Sequence, residues 1–243
     1  KPREWDAVYK DVPAQFTTAQ AENATFNDVV GSFTTGGYSG ASGTNIALVA
    51  STVNGAIVNP GETFSLNGYT GPRGTAQGYV ESGIILDGHA DTAVGGGISQ
   101  FATTLYNASY FAGMTDVAHT PHSYYISRYP AGREATVYEG AIDLQFRNDS
   151  PYPVRIATSV GGGEVTVSLM GVKTVTVDSI NGGRWAETAP EPMSVPGSNC
   201  VPSSGTPGFT TSDTRVIYDL AGNELSRETQ TTVYDPQPIV RCS

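Results

Sequence analysis

The apolar positions of this chain follow helical spacing in two places and strand-like alternation in most of the rest. Ile46, Val49, Ala50, Val53 and Ile57 recur at helical intervals. Thr44 stands where an N-cap would, and Asn59-Pro60-Gly61 supplies a stop, because proline cannot continue a helix. A second helix is better marked. Ile98, Phe101, Ala102, Leu105, Ala108 and Ala112 share one face, and Gly113 takes the place of a C-terminal glycine. Short strands are expected at NDVV (27–30), ahead of a Gly/Ser/Thr-rich loop, at ETFSLN (62–67), and at 79–86, where Asp87-Gly88 ends the run. Past the second helix, residues 124–129 and 141–146 read as strands. Val154, Ile156, Thr158 and Val160 alternate with polar residues, and Val165, Val167 and Leu169 do the same after glycines 161–163, which predicts a hairpin. Residues 172–180 add a β-branched strand.

These elements predict an α+β fold: two helices packed on a mostly antiparallel β-sheet, plus a C-terminal disulfide-stapled β-hairpin. The expected division is a lead-in over 1–25 with room for one short helix, a main domain over 26–180, a Pro/Gly/Ser-rich linker over 181–208 and the hairpin over 209–243. In that hairpin, strands 214–220 and 225–234 flank Ala221-Gly222-Asn223. Cys200 and Cys242, the only two cysteines, bracket it and lack His or Cys neighbours at metal-ligand spacing, so a disulfide is the favoured reading. In the chain-entropy model a loop of that length adds about 4 kcal/mol. A structural disulfide in turn points to an oxidising, extracytoplasmic compartment.

Composition agrees with a strand-heavy, loop-rich extracellular protein: 29 Gly, 15 Pro and a hydrophobic fraction of 38%. The net charge of -10 and the lack of any basic run argue against nucleic-acid binding, which needs clustered Lys and Arg. No apolar run is long enough to span a bilayer. The opening KPREWDAVYK reads as the interior of a longer protein, leaving room for a membrane anchor upstream of Lys1.

The densest candidate chemistry lies in GGGISQ, where Gly95, Gly96 and Gly97 lead into the second helix with Ser99 at its start and His122 close behind. A nucleophile-sized hydroxyl at a helix start, near a histidine, suits acyl transfer. A tight turn with a capping serine suits the same residues. His119 is a weaker second base. His89, near Asp87 and Asp91, suggests a metal at first sight, but a solvated turn is favoured because no second ligand cluster sits at useful spacing. No metal and no cofactor are expected. Tyr124, Tyr125 and Tyr129 offer faces for a sugar or peptide, or plain strand packing.

A longer set of motifs carries a resemblance. FTT (33–35), NPGETFSLN (59–67), GPRG (71–74), GGGISQFATTLYNA (95–108), PHS (121–123), YPAGREATV (129–137) and DLQFRN (143–148) occur in order between about residues 26 and 160. The chain here resembles the VanW family of bacterial cell-surface proteins. The resemblance implies a cell-envelope setting and, in one branch, L,D-transpeptidase cross-linking of peptidoglycan by a cysteine in a GGGxCQ motif. The residue at that cysteine position is Ser99. A thiolate is activated by a helix start and a nearby histidine, whereas a hydroxyl gains far less, so the departure counts against inherited turnover.

On this reading Ser99 attacks a carbonyl, His122 takes its proton, Glu134 or Asp143 orients His122, and helix-start amides hold the oxyanion. The three glycines admit a substrate backbone, Gln100 and Tyr106 line the pocket, and Arg133 receives a peptide carboxylate. The expected ligands are peptidoglycan stem peptides, bound by a weak or inactive relative of the transpeptidases. The alternative is a non-catalytic scaffold or assembly protein of the cell surface. The sequence sets no oligomeric state.

Overall fold

The computed structural model describes residues 9–12, 14, 16–38, 40–86, 89–197 and 200–243. In chain order its first half holds α1 (Thr18–Glu22), β1 (Asp28–Gly36), α2 (Gly40–Val53), β2 (Ile57–Val58), β3 (Thr63–Ser65) and α3 (Leu66–Thr70). A hairpin of β4 (Glu81–Leu86) and β5 (His89–Val94) precedes α4 (Ile98–Phe111), which β6 (Thr115–Ala118) and β7 (Gln145–Arg147) follow. Seven strands complete the chain: β8 (Val154–Gly161), β9 (Glu164–Gly171), β10 (Val175–Thr188), β11 (Pro192–Val195), β12 (Gly208–Asp219), β13 (Glu224–Tyr234) and β14 (Ile239–Cys242). The class is α+β, as the patterning predicts, and α2 and α4 are the two long helices.

The central sheet has the order β1-β9-β8-β2 and is antiparallel throughout. Its alternation decides which face is inside: Val165, Val167 and Leu169 are fully buried while the residues between them are only partly covered. α4 lies on this face against β1 and β9, and beside α2. Ile46, Val49 and Val53 of α2 and Phe101, Leu105 and Ala108 of α4 close the core. Helix and sheet meet at Gly31 of β1, where an added Cβ would lie 2.3–2.8 Å from the backbone of Ala112 and Ala108. A second sheet, β10-β12-β13, carries the C-terminal part. Cys200 and Cys242 are joined by a disulfide.

Local expectations fail where tertiary contacts outvote local signals. Strand β1 runs through Phe33 to Gly36, in a stretch read as loop, because β9 pairs with it there. α2 starts at Gly40, so Thr44 is an interior residue and not an N-cap. Asn45 anchors this start, donating to the Val80 and Gly96 carbonyls and accepting from the Val80 amide, which offsets the poor helix propensity of Gly40 and Gly43. The helix also ends early, at Asn54-Gly55 with Gly55 at φ +89, before Asn59-Pro60-Gly61 is reached.

Residues 124–129 form no strand but a bend with one bridge from Tyr124 to Asp235. The strand expected at 141–146 shrinks to β7. Residues 181–208, expected as linker, instead extend β10 to Thr188 across a register shift between Asn181 and Arg184 and supply β11, which pairs in parallel with β14. Glycine and proline in this stretch mark a bulge and strand ends, not an unstructured tether. The turn expected at Asp87-Gly88 lies outside the described residues.

Candidate functional site

The start of α4 is built by its glycines. Gly95 and Gly97 have φ of +83 and +97, a region costly to other residues. Gly96 and Gly97 bring the turn against neighbouring elements: a Cβ on Gly96 would meet Ser82 O at 2.6 Å, and one on Gly97 would meet Ser42 Cβ at 2.9 Å. Ser42 and Ser82 are themselves hydrogen-bonded at 2.5 Å. The close approach expected of a substrate is thus taken by α2 and β4. Three first-turn amides are committed as well: Ile98 donates to Gly95 O, while Gln100 and Phe101 donate to Gly97 O.

Ser99 belongs to a row of polar side chains along α4. Its Oγ accepts from the Val137 amide at 3.2 Å and lies 3.5 Å from the Val137 carbonyl. One turn on, Thr103 accepts from the Ala135 amide and donates to its carbonyl, and one turn further Asn107 donates to Arg133 O. Four helical residues rise about 6 Å and two extended residues span about 6.6 Å, so helix and chain stay in step. Through this row, Ser99, Thr103 and Asn107 pin the extended segment 133–137 to α4 in place of a neighbouring strand. Ser99 makes no cap: α4 has Gly97 at its N-cap with no side-chain bond.

Glu134, between these anchored residues, is fully buried and carries the one carboxylate that holds His122. His122 Nδ1 lies 2.6 Å from Glu134 Oε2, and the hydroxyl of Tyr234 in β13 donates to Glu134 Oε1 at 2.8 Å. Tyr234 accepts in turn from the Gly132 amide at 2.8 Å. Burial, reinforced by the neighbouring Glu134, pushes the Tyr234 phenol well above its ordinary pKa, so it stays a donor. A carboxylate only accepts, so His122 Nδ1 is the donor to Glu134, and the ring stacks on Tyr129 at 5.6 Å. Among the described residues, His122 Nε2 has no hydrogen-bond partner. Tyr234 is the residue that sequence reasoning missed, since nothing local distinguishes it from other strand tyrosines.

The remaining candidates do not gather around His122. Asp143, the other possible orienting acid, accepts from Ser65 Oγ, the Asn67 and Leu144 amides and Gln145 Nε2, and so ties α3 to the start of β7. Gln100 is buried in the core, donating to Thr35 and Gly36 O. Tyr106 is buried and stacks on His119 at 4.3 Å. His119 is spent on both nitrogens, with Asp116 on Nδ1 and Gln230 on Nε2. Arg133 is sandwiched by Phe33, Tyr110 and Phe111, with Nε 3.6 Å from buried Asp213, so it joins α4 to the C-terminal sheet, while its Nη1 has no hydrogen-bond partner among the described residues.

A family described as VanW like protein matches residues 41–170, just over half of the chain. The chain belongs to the VanW-like family. It is 38% identical over 125 residues to the uncharacterized protein YoaR of Bacillus subtilis (strain 168), a match that covers 51% of this chain and 41% of that protein. It is 30% identical over 113 residues to the vancomycin B-type resistance protein VanW of Enterococcus faecalis (strain ATCC 700802 / V583), covering 44% of this chain and 40% of that protein. The matched region thus spans less than half the length of either relative. No solved structure matches the chain. Ser99, His122 and Glu134 lie within the VanW-like region; Tyr234 and Asp213 lie beyond it, in the C-terminal sheet.

Proposed function

We propose that this chain is a cell-envelope VanW-like domain that recognises peptidoglycan stem peptides at His122 without turning them over. The observation that carries this reading is the separation of the two groups an acyl transferase would couple. Ser99 Oγ is held by the backbone of Val137, whereas His122 is held by Glu134 with Nε2 unpaired. With Nδ1 turned to Glu134, Nε2 is the ring nitrogen left to hydrogen-bond a polar group of a peptide. Serine at the cysteine position of the related transpeptidases removes the thiolate their chemistry needs. The Cys200–Cys242 disulfide, a bond that persists in oxidising compartments, and the VanW relative support the cell-envelope setting.

The pinned Ser99 also suits the scaffold reading, so the test has to separate the two. Purified tetrapeptide muropeptides are titrated against the unmodified chain, Ser99→Ala and His122→Gln by calorimetry, and the mixtures are examined by mass spectrometry. Binding by the unmodified chain and by Ser99→Ala, about tenfold weaker in His122→Gln, with no cross-linked product, is the expected result. Absence of binding in all three leaves the scaffold reading. Cross-linked product that disappears in Ser99→Ala overturns the non-catalytic reading.

A further inference from the structure

Of the motifs that run through the sequence, GPRG (71–74) has no part in the site at His122. Arg73, its cation, follows α3 and places its carbonyl 3.7 Å from where a Cβ on Gly95 would stand, beside the turn into α4. Only 6% of Arg73 is exposed, and among the described residues it forms no ion pair. Its guanidinium is held by two neutral oxygens: Nη1 donates to Thr70 Oγ1 at 2.7 Å and Nη2 to Asn67 Oδ1 at 2.6 Å. A buried cation is ordinarily paired with an anion. The acids whose charge acts on Arg73, Glu139 and Asp143, are engaged elsewhere. Exposed Glu139 gives Oε2 to the Arg73 backbone amide at 2.8 Å, and Asp143 accepts from Ser65, Asn67, Leu144 and Gln145.

Arg215, also buried and without an ion pair, shows the contrast. It donates to the carbonyls of Tyr110 and Met114 at the end of α4, where a cation answers the negative end of the helix, and its Nε is closed off from solvent. Arg73 Nε has no hydrogen-bond partner among the described residues either, yet it is not closed off. The same is true of the hydroxyl of Tyr79, a residue only 5% exposed. Burial raises the Tyr79 phenol above its ordinary pKa, and the Arg73 charge pulls it back. Two donors on buried side chains thus reach solvent without acceptors, close enough to act on one another through charge. We infer that Arg73 Nε and the Tyr79 hydroxyl form a binding site for a single carboxylate, with one donor to each oxygen. A carboxylate brings one negative charge to the one unpaired positive charge and two acceptors to two donors. A phosphate or sulfate dianion would bring a second charge towards Glu139 and Asp143. The site adjoins the start of α4: Asn67, which accepts from Arg73, donates to the carbonyl of Tyr138, next to the Val137 that Ser99 holds.

The test titrates acetyl-Ala-Ala with a free C-terminus, its C-terminal amide and sodium acetate into the isotopically labelled chain. The NMR signal of the Arg73 Nε–H, assigned by through-bond connection to its backbone, is the readout. The free acid should shift that signal, and the amide should bind at least about tenfold more weakly, as expected for loss of a charge-assisted hydrogen bond. Tyr79→Phe should melt as the unmodified chain does, because the hydroxyl has no internal partner, and should bind the free acid about fivefold more weakly. Acetate should shift the same signal. Tighter binding of the dipeptide than of acetate names a peptide C-terminus as the source of the carboxylate, equal binding names a small acid, and both support the site. Equal binding of acid and amide, shifts confined to other arginines, no shift at all, or Tyr79→Phe that binds as the unmodified chain does would overturn the inference. His122→Gln should bind the free acid as the unmodified chain does, so this result stands apart from the stem-peptide reading.

Discussion

Ser99 occupies the position that chemistry would make a nucleophile, yet its neighbours make it a fastener. Val137, the residue it holds, is buried, so its amide has no access to bulk water when the hydroxyl is gone. Replacing Ser99 by alanine should therefore cost about 1–3 kcal/mol, the price of an orphaned buried donor. Urea unfolding of Ser99→Ala checks this, and a change below the error of that method would show that the contact contributes nothing. The same logic separates His122 from His119. Both histidines present Nδ1 to a carboxylate, but Gln230 occupies the second nitrogen of His119 alone. The sequence marks both Glu134 and Asp143 as partners for His122, and the direction in which each side chain faces decides between them. Glu134 points away from the α4 contacts of its neighbours because side chains alternate along an extended segment, whereas Asp143 faces Ser65 and Asn67.

At the scale of elements, the close meeting of α4 with β1 rests on one missing side chain. A Cβ at Gly31 would strike helix backbone, which cannot move aside as a side chain can. Gly31→Ala should destabilise the fold by at least about 2 kcal/mol through overpacking. Gly161→Ala, where nothing lies within 4 Å of the added atom, should be close to neutral; denaturant midpoints of the two variants make the comparison. This contact is invisible in the sequence, where Gly31 reads as the end of a short strand. Legible elements are those whose periodicity and ends agree locally: α4, with its apolar face and Gly113, and the β8–β9 hairpin around its glycines. The start of α2 and the length of β10 are not legible, because Asn45 and the pairing with β12 set them through contacts distant in sequence. The glycines before α4 mislead for the same reason. A backbone approaching a ligand and a backbone approaching β4 ask for the same residue.

At the scale of the whole molecule, the VanW-like region and the C-terminal sheet are joined by buried tyrosines. Tyr110 donates to Asp213, which also accepts from Ser179, while Arg215 donates to the Met114 and Tyr110 carbonyls. Tyr234 closes the same junction onto Glu134. Burial raises the phenols of Tyr106, Tyr110 and Tyr234 far above their ordinary pKa, with the carboxylates nearby adding to the effect. Above pH of about 10 the unfolded chain loses these protons while the folded chain retains them, so the unfolded state binds fewer protons and stability falls as pH rises. Below that pH the phenols are protonated in both states and their contribution is constant. Urea unfolding at pH 8, 9, 10 and 11 should show a flat stretch followed by a steep loss, and Tyr234→Phe should flatten that loss while lowering stability at pH 8. An unfolding free energy that stays level to pH 11 would mean that the junction opens to solvent before the rest of the fold. The C-terminal sheet would then be an appendage, not a wall of the site that holds His122.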